Sequence, residues 1–374
     1  MNSKDNKSYD FLIVGAGVFG SVCAYELSKI GKKCLVIDKR NTIGGNCYTE
    51  NVNNIHIHKY GAHIFHTNEK YLWDYINKFA EFKQYTHNVI ANYKDEIYSL
   101  PFNMLTFNKL WDITTPEEAK DIIEVQSNHI NEPQNLEEQA IKLVGKDIYD
   151  KLIKGYTEKQ WGKPCNELPA SIIKRLPVRF TWDNNYFNDK YIGIPIGGYT
   201  QIFEKMLKNT EVWLNKDYFI NRDFYNSLAD KVIYTGPIDK FFSYQFGKLE
   251  YRSLKWETKI LEKDNFQGVP VMNYTHSDVP YTRILEHKWF DYQNQKGTVI
   301  SYEYPDEYNG HNEPYYPIRN DVNTEIYKKY HELTKSLKTH IFGGRLGNYA
   351  YYDMHQVIAQ ALKKIEELKI SNIV

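Results

Sequence analysis

The chain has 374 residues, 42% apolar and 25% charged, with 47 basic against 47 acidic side chains. That balance removes any electrostatic case for nucleic acid or an anionic membrane surface. The length calls for two or three structural units, and no apolar run approaches the roughly 18–20 residues of a membrane span. The polar start "MNSKDNKSYD" has none of the apolar core of a secretory leader. Cys23, Cys34, Cys47 and Cys165 form no CxxC pair and read as reduced thiols of a cytoplasmic protein.

Taken in chain order, "YDFLIVG" (Tyr9 to Gly15) reads as a short buried parallel strand ending in glycine. "GAGVFG" follows, then "SVCAYELSKIG", where Val22, Leu27 and Ile30 keep helical spacing and Gly31 is a C-terminal stop. "KKCLVIDKR" is a second strand ending in Asp38. From about Tyr71 to Lys151 the periodicity predicts helices, with Thr115 and Asn135 as N-caps and Pro116 in a first turn. From Trp213 to Val271 the pattern predicts strands, "KVIYTGPID" most clearly. A helix over "IRNDVNTEIYKKYHELTKS", a strand and glycine-rich turn in "THIFGGRLGNYAYYDM", and an amphipathic helix from His355 complete the chain. The first and last segments are expected to share one sheet, with the middle inserted between them.

Gly15, Gly17 and Gly20 match GxGxxG between a strand and a helix. The glycines allow a tight turn, a close approach of backbone to a pyrophosphate, and close helix–strand packing. The helix N-terminus offers free N–H groups to the phosphates. Asp38, ending the second strand, is placed to take ribose hydroxyls. Strand, glycines, helix and acid together predict a dinucleotide. A second glycine pair, Gly44-Gly45, resembles the extended FAD signature of the glutathione-reductase-like flavoproteins, so FAD is the expected cofactor. "YTGPID" and "GRLGNYAYYDM" resemble the strand and turn that flank the flavin there.

"YGAHIFHT", "GYTEKQWG", "YTRILEHK", "EPYYP" and "GRLGNYAYYDM" together resemble the bacterial UDP-galactopyranose mutases, in the same order and at similar spacing along the whole chain. The resemblance implies an α/β fold with α+β insertions: a glutathione-reductase-like Rossmann FAD domain (1–80, 200–245 and 320–374), a helical domain (81–185) with a mobile lid at about 162–178, and an antiparallel-sheet substrate domain (186–199 and 246–319). It implies an isomerase that interconverts UDP-galactopyranose and UDP-galactofuranose for surface polysaccharide. Reduced FAD N5 would be the covalent nucleophile at the anomeric carbon, without net redox change. NAD(P)H or another donor would supply the electrons, and a homodimer would be the assembly.

By the same resemblance, Arg175, Arg283 and His63 belong to the catalytic set, the two arginines clamping the diphosphate. His87 (where the family often carries Asn), Tyr156, Trp161, Tyr186, Arg252, Tyr316 and Tyr351 belong to the substrate. Gly15, Gly17, Phe19, Gly20, Asp38, Lys39, Gly45, Asn46, His63, Ile64, Phe219, Arg345, Tyr352, Asp353 and Met354 belong to the cofactor. No side-chain general base stands out. His63 and His66, three apart, are a weak metal signal, because the sequence shows no third ligand at suitable spacing. Two other readings share the fold, an amine-oxidase-like dehydrogenase and a non-catalytic binder akin to the GDP-dissociation inhibitors. Neither needs the paired arginines or the "GYTEKQWG" loop.

Overall fold

The computed structural model describes residues 7–174, 176–291 and 295–371. Arg175, assigned above to the diphosphate, lies outside the described residues. The first and last segments do share a sheet. Five parallel strands run in the order Glu211–Trp213, Cys34–Ile37, Tyr9–Val14, Ala229–Tyr234, His340–Phe342. Strands buried on both faces must be apolar throughout, and "CLVI" is buried at all four positions. On one face, Ile13 and Val36 pack with Phe19, Val22, Leu27 of helix Val18–Lys29 and with Val357, Ile358, Ile365 of helix Met354–Ile370. On the other face, Leu12, Leu35 and Val232 pack under Tyr218, Tyr225 and Phe241. The result is a doubly covered Rossmann-like layer, the α/β core that the sequence predicts.

A second sheet of seven strands runs Tyr316–Pro317, Tyr251–Leu261, Thr298–Glu307, Arg283–Glu286, Val271–Tyr274, Val89–Tyr93, Glu96–Leu100. Every pairing is antiparallel except that of Val271–Tyr274 with Val89–Tyr93. A three-stranded sheet joins Phe65–Thr67, Tyr191–Pro195 and Phe82–Gln84. The helices Met104–Trp111, Pro116–Ser127 and Leu136–Val144 start on side-chain caps from Asn103, Thr115 and Asn135. Their apolar faces join the core that also holds Leu100, Val271 and Leu285 of the seven-stranded sheet. A π-helical turn, Tyr149–Lys154, leads into helix Gly155–Trp161. Among the described residues no helix is long and apolar enough to cross a membrane.

Two stretches differ from expectation. Helix Lys70–Ile76 opens the predicted helical stretch, but strands Phe82–Gln84, Val89–Tyr93 and Glu96–Leu100 follow where helix is predicted, and helices resume at Met104. The reason is local: Val89 and Ala91 are buried on alternate positions, and Lys94 and Asp95 both take positive φ (51° and 68°), the geometry of a two-residue type I′ hairpin. The second is the predicted strand region 213–271, which contains helices Arg222–Ser227 and Ile238–Phe241 covering the parallel sheet. Residues Tyr191–Pro195, expected with the substrate sheet, instead pair with Phe65–Thr67 and Phe82–Gln84.

Candidate active site

The glycine cradle is set by close approach. A Cβ built at Gly20 would lie 2.0 Å from the Gly15 carbonyl oxygen, so only glycine lets the helix seat on the strand end. A Cβ at Gly45 would lie 3.0 Å from Gly17 Cα, so the second glycine loop touches the first. The helix opens at Gly17 with no side-chain cap, leaving its first N–H groups for an anion. Asp38 ties the two strand ends together: Oδ2 accepts from the Ala16 N–H (2.8 Å) and Oδ1 from the Arg40 N–H (2.9 Å). Phe19 is buried beneath the Gly343-Gly344 turn. Met354 and Tyr352 pack on the same core. Two bare loops, an uncapped helix N-terminus and a fixed acid fit the pyrophosphate and ribose of FAD.

Other residues expected near the cofactor are held by partners of their own. Lys39 and Arg40 both pair with Glu313 (2.8 and 3.1 Å), and Arg40 Nη2 donates to Asn46 Oδ1 (2.9 Å). Ile64 sits in the second core. Phe219 packs beneath Tyr218 and Tyr234, with the Lys240 ammonium 4.6 Å from its ring centre.

Beside the cradle the fold gathers the residues expected at the substrate. Tyr316 and Tyr351 stack at 5.6 Å. The Arg345 guanidinium lies 4.7 Å from the Tyr351 ring centre and 6.0 Å from that of Tyr316. Its charge also acts on Cys47 of the second glycine loop, so Arg345 joins the cradle to the tyrosines. Arg283 opens strand Arg283–Glu286, paired on both sides within the seven-stranded sheet, and is pinned from below: its Nε donates to the buried Glu303 Oε1 at 2.7 Å, and Thr282 Oγ1 donates to the same oxygen at 2.8 Å. Burial alone would lower the Arg283 pKa, but Glu303 and the neighbouring Tyr156 and Tyr316 hold it well above the usual value. Its Nη1 and Nη2 make no hydrogen bond among the described residues and stay available to an anion.

Tyr156 is pushed up to about 12, and Tyr186 and Tyr316 are raised too, each chiefly by burial. These phenols therefore stay neutral and donate. His87 stands against Tyr186 (5.7 Å) and Phe187 (5.5 Å). Burial, then the Arg283 charge, lowers its pKa to about 3. His63 falls to about 4, again chiefly by burial. Its Nδ1–H can only donate to the Gly61 carbonyl (2.7 Å), which leaves Nε2 as a bare acceptor.

Trp161 is half-buried against the second core. Arg252 is buried, and its Nε donates to the Gln160 carbonyl (2.9 Å), holding the end of helix Gly155–Trp161. Lys159 fixes the same helix by donating to the Tyr274 and Tyr281 carbonyls, both at 2.8 Å, on the hairpin that carries Arg283. Glu303 and Lys159 were missed in the sequence. The signal for Glu303 is an acid on the buried phase of an alternating strand, and for Lys159 there is none. A cavity of about 250 Å³ lined by His56, Lys83, Tyr85, Phe290 and Asp291 lies elsewhere, and none of the expected site residues lines it.

Residues 151–351 match the profile of the UDP-galactopyranose mutase family, more than half of the chain. The chain belongs to that family. Residues 13–79 also match an NAD(P)-binding Rossmann-like domain. A probable UDP-galactopyranose mutase of Klebsiella pneumoniae is 43% identical over 98% of this chain and 95% of its own length. A dTDP-fucopyranose mutase of Escherichia coli is 41% identical over 94% and 96%. A crystal structure of a reduced UDP-galactopyranose mutase superposes with a TM-score of 0.78 at 15% identity, over 98% of this chain and 94% of that one, a likeness of fold.

Proposed function

We propose that this member of the mutase family interconverts UDP-galactopyranose and UDP-galactofuranose, with FAD as its cofactor, as a cytoplasmic homodimer. The observation that carries the reading is Arg283: a cation pinned through Nε to buried Glu303, its two terminal nitrogens without a hydrogen bond among the described residues, beside the buried phenols of Tyr156, Tyr186 and Tyr316. Such a group recognises a diphosphate and stabilises its charge as the sugar–phosphate bond breaks.

FAD, when bound and reduced, supplies the electron pair and the nucleophile that let the sugar ring open and reclose without net redox change. The chain's own residues do the rest. Gly17, Gly45 and the N-terminus of helix Val18–Lys29 hold the pyrophosphate. Arg283 takes the substrate diphosphate, Arg175 completes the clamp, Tyr316 and Tyr351 donate to the same oxygens, and Arg345 meets the FAD pyrophosphate. Tyr156, Trp161 and Tyr186 form the nucleotide wall. His63 Nε2 accepts from a sugar hydroxyl while remaining uncharged. Residues 162–178 act as the lid over this site.

The test is the FAD-loaded protein reduced with dithionite and incubated with UDP-galactofuranose, the products being separated by chromatography. UDP-galactopyranose is expected from the reduced protein alone, and its absence sinks the reading. The 41% identity to a dTDP-fucopyranose mutase supports a second reading, in which the sugar is a 6-deoxy hexose on dTDP. A parallel incubation with dTDP-fucofuranose separates the two, the higher kcat/KM naming the substrate. Arg175→Ala is expected to cut turnover severely while FAD stays bound, and loss of FAD would contradict its place in the clamp.

A further inference from the structure

His66 takes no part in the chemistry above, yet it is held as a metal ligand is held. Its Nδ1 faces Asp189 Oδ2 at 2.8 Å, and Asn68 Nδ2 donates to the other carboxylate oxygen at 3.0 Å. Its ring stacks on Phe187 at 4.0 Å, which fixes its plane. With Nδ1–H given to a carboxylate, Nε2 carries a lone pair, the orientation found in carboxylate–histidine–metal relays. The fold then supplies what the sequence did not offer. Asp353 and His355, at the start of the C-terminal helix, each bring a ligand atom to His66, and all three atoms lie within 4.8 Å of one another. His355 Nδ1 is buried without a hydrogen-bond partner among the described residues.

The spacing suits an ion between the rings. A metal–nitrogen bond of about 2.0–2.1 Å puts an imidazole centre about 3.2 Å from the metal, so two rings at a tetrahedral angle have centres about 5 Å apart. The His66 and His355 centres are 5.1 Å apart at 69°. We propose that His66, Asp353 and His355 form a site for a divalent transition metal of the Zn²⁺ class, with Asp189 as the carboxylate behind His66. Two imidazoles and one carboxylate favour such an ion over Mg²⁺ or Ca²⁺, which take oxygen ligands. The charges of Asp353 and Asp189 would balance a dication. The ion would tie strand Phe65–Thr67 to the start of helix Met354–Ile370, beside the cofactor wall.

The site does not depend on which sugar is turned over, and its test reads binding rather than activity. Untagged, FAD-loaded, chelator-treated protein is titrated with ZnCl₂ by calorimetry, and the bound ion is examined by X-ray absorption. One Zn²⁺ per chain is expected, with nitrogen neighbours at about 2.0–2.1 Å. His355→Ala should abolish binding, and Asp189→Asn should weaken it by about 10–100-fold. His355→Asn gives the same expectation should the alanine variant fail to fold by circular dichroism. The proposal is overturned if the wild-type chain binds no Zn²⁺, or if folded His355 variants bind it with unchanged affinity.

Discussion

Replacing Glu303 by glutamine isolates the charge that pins Arg283. Gln is isosteric, and its carbonyl oxygen can still accept from Arg283 Nε and Thr282 Oγ1, now at 2.7 and 2.8 Å. Only the negative charge is lost. At 2.7 Å the pair attracts by about 6 kcal/mol with an effective dielectric of about 20. Breaking a buried pair by removing one partner costs about 3–5 kcal/mol. Because both hydrogen bonds survive, about 3 kcal/mol is expected. Unfolding entropy of about 2.1 cal/mol/K per residue over 374 residues gives about 0.8 kcal/mol/K, so Tm should fall by about 4 °C. Differential scanning calorimetry of the FAD-loaded protein with and without UDP makes the measurement. UDP should raise the Tm of Glu303→Gln more than that of wild type, since its diphosphate replaces the missing anion. A Tm within about 1 °C of wild type, or no added rescue by UDP, refutes the view of Arg283 as a cation held in place by a buried acid.

Two further outcomes follow from the same environment. His63 and His287, whose pKa values burial lowers to about 4 and about 3, protonate near 6.5 when unfolded but stay neutral when folded. The unfolded state therefore binds more protons between these values, and stability falls with falling pH, by about 1.6 kcal/mol per histidine from pH 6.5 to 5; denaturant midpoints across that range would show it, and a flat profile would exclude it. Lys159→Met should free helix Gly155–Trp161 from the Tyr274 and Tyr281 carbonyls. UDP affinity should drop about tenfold, the worth of roughly one net hydrogen bond, with the flavin spectrum unchanged; an unaltered Kd by Trp fluorescence would show that the helix is placed by other contacts.

What could be read from the sequence follows how local each signal is. The strand–glycine–helix–acid order around Gly15 to Asp38 is local, and the structure reproduces it. The caps at Thr115 and Asn135 are local and were legible for the same reason. The hairpin Val89–Leu100 was lost because its alternation is short and interrupted by polar residues, while only Lys94-Asp95 mark its turn. Glu303, Lys159 and the His66–Asp353–His355 group act through tertiary neighbours 20 to about 290 positions away. No spacing in the chain announces such pairings. Arg252 adds a contact that its motif did not announce: its Nε grips the backbone of the helix that carries Tyr156 and Trp161.

The electrostatics of the cluster argue for its chemistry. A site that transfers protons through side chains moves a pKa toward neutrality. Here burial drives Tyr156, Tyr186 and Tyr316 up and His63 and His87 down, each away from it. Such groups hold hydrogen bonds of fixed polarity: phenols that donate, and in His63 an imidazole nitrogen that accepts. The charges are cations, and Arg283 is locked at one nitrogen by a buried acid so that its remaining donors keep a fixed direction. That arrangement offers little to a general acid–base reaction, and it suits a diphosphate that leaves and returns while the sugar rearranges between the same walls. The helix of "GYTEKQWGKP" is anchored by Lys159 and Arg252 to the sheet that presents Arg283, so Tyr156, Trp161 and Arg283 are positioned as one body.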